Sequence, residues 1–185
     1  LARALALMVH RGGPETDTRA AARKELCRTS GVHLLEIVKQ RRQRADSRTY
    51  FGKGKLREVL IYALEQDAEV LICDTDLSPS QAKEIAAQTD LKVIDRTMLI
   101  LDIFAQHAQS SDGKLQVELA QLRYRLPRMV GRGTMMSRLA GGIGGRGPGE
   151  SKLEIDRRRA QSRITELERR LANMQKRRNQ RRAQR

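Results

Sequence analysis

The chain has 185 residues, with 37 Lys and Arg against 22 Asp and Glu, a formal net charge of +15. The excess is concentrated: residues 1–122 carry 18 basic and 17 acidic side chains, residues 123–185 carry 19 and 5. A charge this one-sided points to a polyanionic partner, while apolar runs such as Val70–Cys73 are far too short to span a bilayer.

Other classes are excluded on similar grounds. Leu1–Val9 is followed by a polar stretch with no small-residue cleavage site, so it does not read as a secretory signal; a first residue of Leu reads as part of a longer protein. Cys27 and Cys73 lack metal-motif spacing and suggest neither a zinc site nor a disulfide framework, only reduced thiols in a cytoplasmic protein. His10, His33 and His107 are too scattered for a metal site. Aromatic residues are 3% and Trp is absent, which argues against stacking platforms for single-stranded bases. A monomer without membrane association is expected.

In chain order, Ala2–Val9 predicts a strand, Gly12-Gly13-Pro14 a turn, and the Ala-rich, charged stretch Thr16–Arg28 a helix ended by Gly31. Val32–Val38 predicts a second strand and Arg41–Arg48 a loop. Leu56, Val59, Leu60, Ala63 and Leu64 recur at helical spacing within Lys55–Gln66. Glu69–Cys73, nearly all apolar, predicts a strand covered on both faces. Ser78-Pro79-Ser80-Gln81 is a capping box with Pro at the first helical position, opening a helix to about Gln88. Leu91–Ile94 predicts a fourth strand, and Thr97 is placed to cap a helix to about Ala108. Four strand–helix repeats require crossovers. Residues 1–110 are therefore expected to form an α/β domain, a small parallel sheet flanked by helices.

The second part, residues 111–185, has a different pattern. Ser111-Asp112-Gly113 breaks the helical pattern, after which Leu115, Leu119, Leu122 and Leu126 form one apolar stripe, ended by Pro127 and Gly131. Leu153, Ala160, Ile164, Leu167, Leu171 and Met174 follow a heptad seam interrupted by Arg157. Two seamed helices joined by a loop predict an antiparallel, coiled-coil-like helical hairpin with a glycine-rich tip. Each buried Leu or Ile contributes roughly 1.5–3 kcal/mol, which barely offsets the ordering of two helices.

Residues 131–149 join them with eight glycines, three arginines and no acidic residue. Loops of this length are usually functional or disordered. Glycines let a backbone approach another closely, and arginines offer paired donors to phosphate. The segment reads as a nucleic-acid-docking tip, mobile in the free protein, or else as a flexible linker. The candidate RNA-binding residues are Arg132, Arg138, Gly141, Gly142, Gly144, Gly145, Arg146, Gly147, Gly149, Lys152, Arg157 and Arg158.

No catalytic constellation is visible. The pairs Gly52-Lys53, Gly54-Lys55 and Gly113-Lys114 are followed by Gly, Leu and Leu, so none begins a phosphate-binding loop ending in Ser or Thr. Gly52–Lys55 is either a phosphate contact or a plain turn into the next helix. Asp74 and Asp76, at the end of the third strand, either bind Mg²⁺ or start a helix.

Several stretches together resemble one family: Tyr50–Lys55, Leu77–Gln81, Val93–Thr97 continuing through Leu99–Gln106, Gly113–Leu122, and Gly141–Glu154 with Asp156-Arg157-Arg158. The chain resembles, in order and over nearly its whole length, the N-terminal region of HflX-type translational GTPases. That family usually carries Thr at positions 145 and 151, where this chain has Gly and Ser. The resemblance implies an α/β domain, a helical hairpin, and then a GTP-binding domain using GTP and Mg²⁺ that would begin near Arg185. No enzymatic activity is expected of the present residues by themselves. The resemblance further implies binding to the large ribosomal subunit and GTP-dependent ribosome splitting or rescue, with the glycine-rich tip entering ribosomal RNA near the peptidyl-transferase region. The alternative is a freestanding basic helical protein that binds nucleic acid nonspecifically.

Overall fold

The computed structural model describes residues 2–130 and 148–184, the last including only the backbone of residues 148–151. They form two compact units, Leu1–Ile103 and Phe104–Arg185. The first is α/β, with strands β1 (Arg3–His10), β2 (His33–Arg41), β3 (Val70–Cys73) and β4 (Lys92–Ile94). They are joined by helices α1 (Glu15–Thr29), α2 (Lys53–Glu65) and α3 (Pro79–Thr89), and β4 leads into α4 (Arg96–His107).

The sheet is wholly parallel in the order β2-β1-β3-β4. Side chains of β1 alternate between its faces as the two-residue period requires. Leu5 and Leu7, with Leu71 and Cys73 of β3, pack under Leu56, Val59 and Ala63 of α2 and Ile85 of α3. Ala4, with Val70 and Ile72, packs under Cys27 of α1 and Leu99 of α4. The crossover helices thus cover both faces, and all four residues of β3 are buried. An extra residue, Leu35, shifts the β1–β2 register between Ala4 and Leu5.

Local chemistry sets the helix starts. Ser78 accepts from the Gln81 amide while the Gln81 side chain accepts from the Ser78 amide, completing the capping box. At α4 the cap differs from the one expected: Asp95 Oδ1 accepts from the Met98 amide, and Thr97 lies inside the helix with its hydroxyl on Asp76. Aspartate caps as well as threonine does, and Asp95 is two residues closer to the strand. Asp95 also accepts from the Leu77 amide, tying the starts of α3 and α4 together.

A short loop carries two aromatics into the core. Asp46 and Tyr50 exchange backbone hydrogen bonds, and Asp46 Oδ1 accepts from the Arg48 and Thr49 amides. These bonds hold Tyr50 at φ 63°, an uncommon conformation for a bulky residue. Its ring stacks on Phe51 with centroids 5.6 Å apart, and both residues are buried.

The second unit contains α5 (Ser111–Arg125), a 3-10 turn at Leu126–Arg128, and α6 (Pro148–Ala183). The break before α5 differs from the expected one: it falls at residues 108–110, and Ser111-Asp112-Gly113 form the first turn of α5, because Ser110 caps the helix by accepting from the Gly113 amide. At 1.5 Å per residue α6, of 36 residues, is about 54 Å long. The predicted loop at 131–149 lies, for residues 131–147, outside the described residues. Its last two residues differ from expectation: Pro148 and Gly149 already belong to α6, Pro suiting the first turn because its missing N–H would have no helical partner there. Among the described residues, no helix is long and apolar enough to cross a membrane.

Candidate nucleic-acid interface

The seam residues position the charges. Leu119 of α5 and Ile164 and Leu167 of α6 are buried together, flanked by Leu115, Leu122, Leu126 and Leu171. Asp112, near the start of α5, pairs with Arg178, near the end of α6. Met129, just past α5, accepts from Arg157, near the start of α6. The two helices therefore pack side by side in opposite directions. Arg163 bridges Glu118 at 2.7 Å and Glu166 at 2.9 Å, and these carboxylates hold its guanidinium above its ordinary pKa. Arg123 reaches Glu168. Such half-exposed pairs contribute about 0–1 kcal/mol each, so they set register more than stability.

With the acidic residues spent in this way, α6 presents many cations to solvent. Arg159, Arg169, Lys176, Arg177, Arg181 and Arg182 are exposed and have no ion-pair partner among the described residues. Arg158, Arg169 and Lys176 fall about half a turn from the Ile164–Leu167 seam, at 3.6 residues per turn. At the other end of the pair, Arg128 covers the Tyr124 ring at 3.6 Å from its centroid.

The sequence-predicted interface residues divide in two. Arg132, Arg138, Gly141, Gly142, Gly144, Gly145, Arg146 and Gly147 lie outside the described residues. Gly149, Lys152, Arg157 and Arg158 lie along the first three turns of α6, spread around the helix, and the three basic side chains are exposed. Arg157, which interrupts the heptad seam, uses one guanidinium nitrogen on the Met129 carbonyl at 3.3 Å, and Arg158 lies 3.4 Å from Glu154.

In the first unit, each of the two motifs with paired readings has protein partners of its own. Asp74 is buried and gripped by two arginines of α1: Arg19 pairs with Oδ2, and Arg23 with Oδ1 at 3.0 Å. Asp76 accepts from the Thr97 amide and hydroxyl and pairs with Arg96 at 3.6 Å. Partial burial works against ionisation of Asp76, but the Thr97 hydrogen bonds and the Arg96 charge outweigh it and keep its pKa low. Asp74 thus serves ion pairs and Asp76 an ion pair and the start of α4, and no cluster of metal-ligating side chains occurs among the described residues. At Gly52 the amide donates to Gln40 Oε1, and a Cβ there would lie 2.6 Å from Arg42 Nη1. This is a packed turn into α2. The Arg19–Arg23–Asp74 group was missed in the sequence, although arginines four apart on one helix face, near an Asp ending a buried strand, are a usable signal.

Family models cover nearly the whole chain: one described as GTP-binding GTPase N-terminal matches residues 18–105, and one described as GTP-binding GTPase Middle Region matches residues 107–185. The chain is 46% identical over 172 residues to GTPase HflX of Caldanaerobacter subterraneus, covering 93% of this chain and 40% of that protein. It is 42% identical over 157 residues to GTPase HflX of Escherichia coli, covering 85% of this chain and 37% of that protein. It thus spans about 40% of the length of such relatives. A solved GTP-binding protein from Sulfolobus solfataricus in complex with GDP shares the fold at a TM-score of 0.63 and 22% identity, over 95% of this chain and 46% of that one. With the N-terminal and middle regions matched in order, the chain belongs to the HflX family of GTPases.

Proposed function

We propose that this chain is the ribosome-docking portion of a GTPase that binds the large ribosomal subunit and splits or rescues ribosomes. Helices α5 and α6 form the two arms of a hairpin, and the segment 131–147 closes it as a glycine-rich tip that enters ribosomal RNA near the peptidyl-transferase region. The observation that carries this reading is α6 itself: a long helix, fixed by one apolar seam, exposing basic side chains along most of its length. Folded RNA is recognised chiefly through shape, phosphate and 2′-hydroxyl contacts, which a thin basic arm suits.

GTP hydrolysis, with its Mg²⁺, belongs to a domain of the full-length protein outside the matched regions. The present residues contribute binding and orientation: they place the hairpin on RNA and supply neither nucleophile nor phosphate loop. Co-sedimentation of the protein with purified subunits tests this reading. It expects stoichiometric recovery with the large subunit and little with the small one. Equal recovery with both would favour the second reading, a nonspecific nucleic-acid binder, for which the high net charge is the supporting observation.

A further inference from the structure

The sheet has one long free edge. β2 pairs with β1 alone, runs for 9 residues and buries none of its side chains, whereas all of β3 is buried. β4, at the opposite edge, has only 3 residues. The ladder to β1 fixes which backbone groups of β2 face out. The Arg42 amide donates to the His10 carbonyl, and Ile37 lies in register with Ala6. Alternation along a parallel pair then turns the backbone groups of Glu36, Val38 and Gln40 toward β1, and those of Ile37, Lys39 and Arg41 away from it. Among the described residues, nothing meets the outward N–H and C=O groups of these three. A long edge with half-exposed apolar side chains is a template for another strand.

An open groove of about 600 Å³ lies between this strand and α1. Ala20, Lys24 and Arg28, four residues apart and so on one face of α1, form one wall. Lys24, Arg28 and Lys39 line the groove against a single carboxylate, Glu36. Lys24 is exposed and has no ion-pair partner among the described residues. Arg28 pairs with Glu25 and Lys39 with Asp17, and in each pair the carboxylate is at least 60% exposed. Such surface pairs are weak and exchange readily for another anion. The other face of the strand is apolar: Leu35 and Val38 are half-buried against the cluster under α2.

We propose that β2 is a docking edge for an extended acidic segment of another protein, which adds to the sheet as a further strand. Its backbone pairs with Ile37, Lys39 and Arg41, its acidic side chains face Lys24, Arg28 and Lys39, and its apolar ones face Leu35 and Val38. Strand addition takes its affinity from main-chain bonds and its specificity from alternate side chains. A second copy of this chain fits less well, because self-pairing centred on the free segment sets Lys39 opposite Lys39. RNA phosphates would meet the cations but have no donor for the three outward carbonyls. The edge belongs to the first unit, and the proposal does not depend on the ribosome reading.

The test titrates the full chain with a capped octapeptide alternating Glu and Val, read by amide exchange in NMR spectra. One peptide should bind per chain. The Ile37, Lys39 and Arg41 amides should then exchange at least tenfold more slowly, while those of Glu36, Val38 and Gln40, already bonded to β1, change little. Lys24→Glu, at an exposed position that leaves the fold intact, should weaken binding at least tenfold. Lys92→Glu, the same change on β4 at the opposite edge, should leave it unaltered. A fully N-methylated peptide keeps the charge, loses the donors and should not bind. Absence of binding would overturn the proposal. So would binding indifferent to Lys24→Glu and to N-methylation, the behaviour expected of the charge on α6, or slowed exchange that does not pick out the three outward amides. Protection of those amides that rises with protein concentration, without peptide, would assign the edge to a second copy and overturn it as well.

Discussion

Arg23 shows how one carboxylate can hold a region together. It is almost wholly buried, and Asp74 supplies its counter-charge through two contacts while the Asp74 carbonyl accepts a third at 2.6 Å. Removing one partner of a buried pair strands the other, at a cost of about 3–5 kcal/mol. Asp74→Ala should therefore lower the free energy of urea unfolding by that amount, and a loss under about 1 kcal/mol would contradict this account of the site. Asp46 gives a milder, pH-dependent case. The Thr49 and Arg48 amides stabilise its carboxylate and lower its pKa. Its contribution is therefore present above the unfolded carboxylate pKa of about 3.9 and is lost as pH falls through the lower folded value. The gap in urea stability between the protein and Asp46→Ala should be on the order of 1 kcal/mol at neutral pH and close in strong acid. A gap independent of pH would reject the role of the charge. At this scale the sequence was legible where the chemistry is local. Ser78 and Gln81 are three residues apart, and their capping box could be read directly. The Arg23–Asp74 pair spans 51 residues and depends on strand order, which no local pattern encodes.

Elements were legible where periodicity was strong. The apolar runs in β1 and β3 predicted each strand to within a residue, and the leucine steps in α5 predicted the end of that helix equally well. Ends were harder. β2 runs on to Arg41 because Lys39, Gln40 and Arg41 keep pairing with β1 at the sheet edge, where polar side chains remain solvated. The start of α6 includes Pro148 and Gly149, residues that elsewhere mark turns. Packing of the α5–α6 pair depends on few side chains, with Leu167 fully buried among them. Leu167→Ala should destabilise the second unit by about 2–5 kcal/mol. Amide exchange should accelerate in α5 and α6 while β3, in the other unit, is unchanged. Acceleration in β3 to the same degree would mean that the two units unfold as one.

For the whole molecule, the informative quantity is the distribution of charge between residues 1–122 and 123–185. It was visible in the sequence, and the structure adds that α6 turns much of it outward. The residues present also lack a phosphate-binding loop, so phosphate release from GTP by purified protein should equal the buffer control with or without ribosomes. Release above that control would refute this division of labour. The central claim, that the charge drives association and the 131–147 segment chooses the site, is tested most directly by paired salt titrations. Binding of the protein and of its Arg138→Ala/Arg146→Ala variant is measured against large ribosomal subunits and against a mixed-sequence RNA duplex. About five phosphate contacts give a log–log salt slope of about −4. The account predicts that the double substitution weakens binding to large subunits more than to the duplex. Equal weakening on both would contradict it and leave the segment as one more patch of charge.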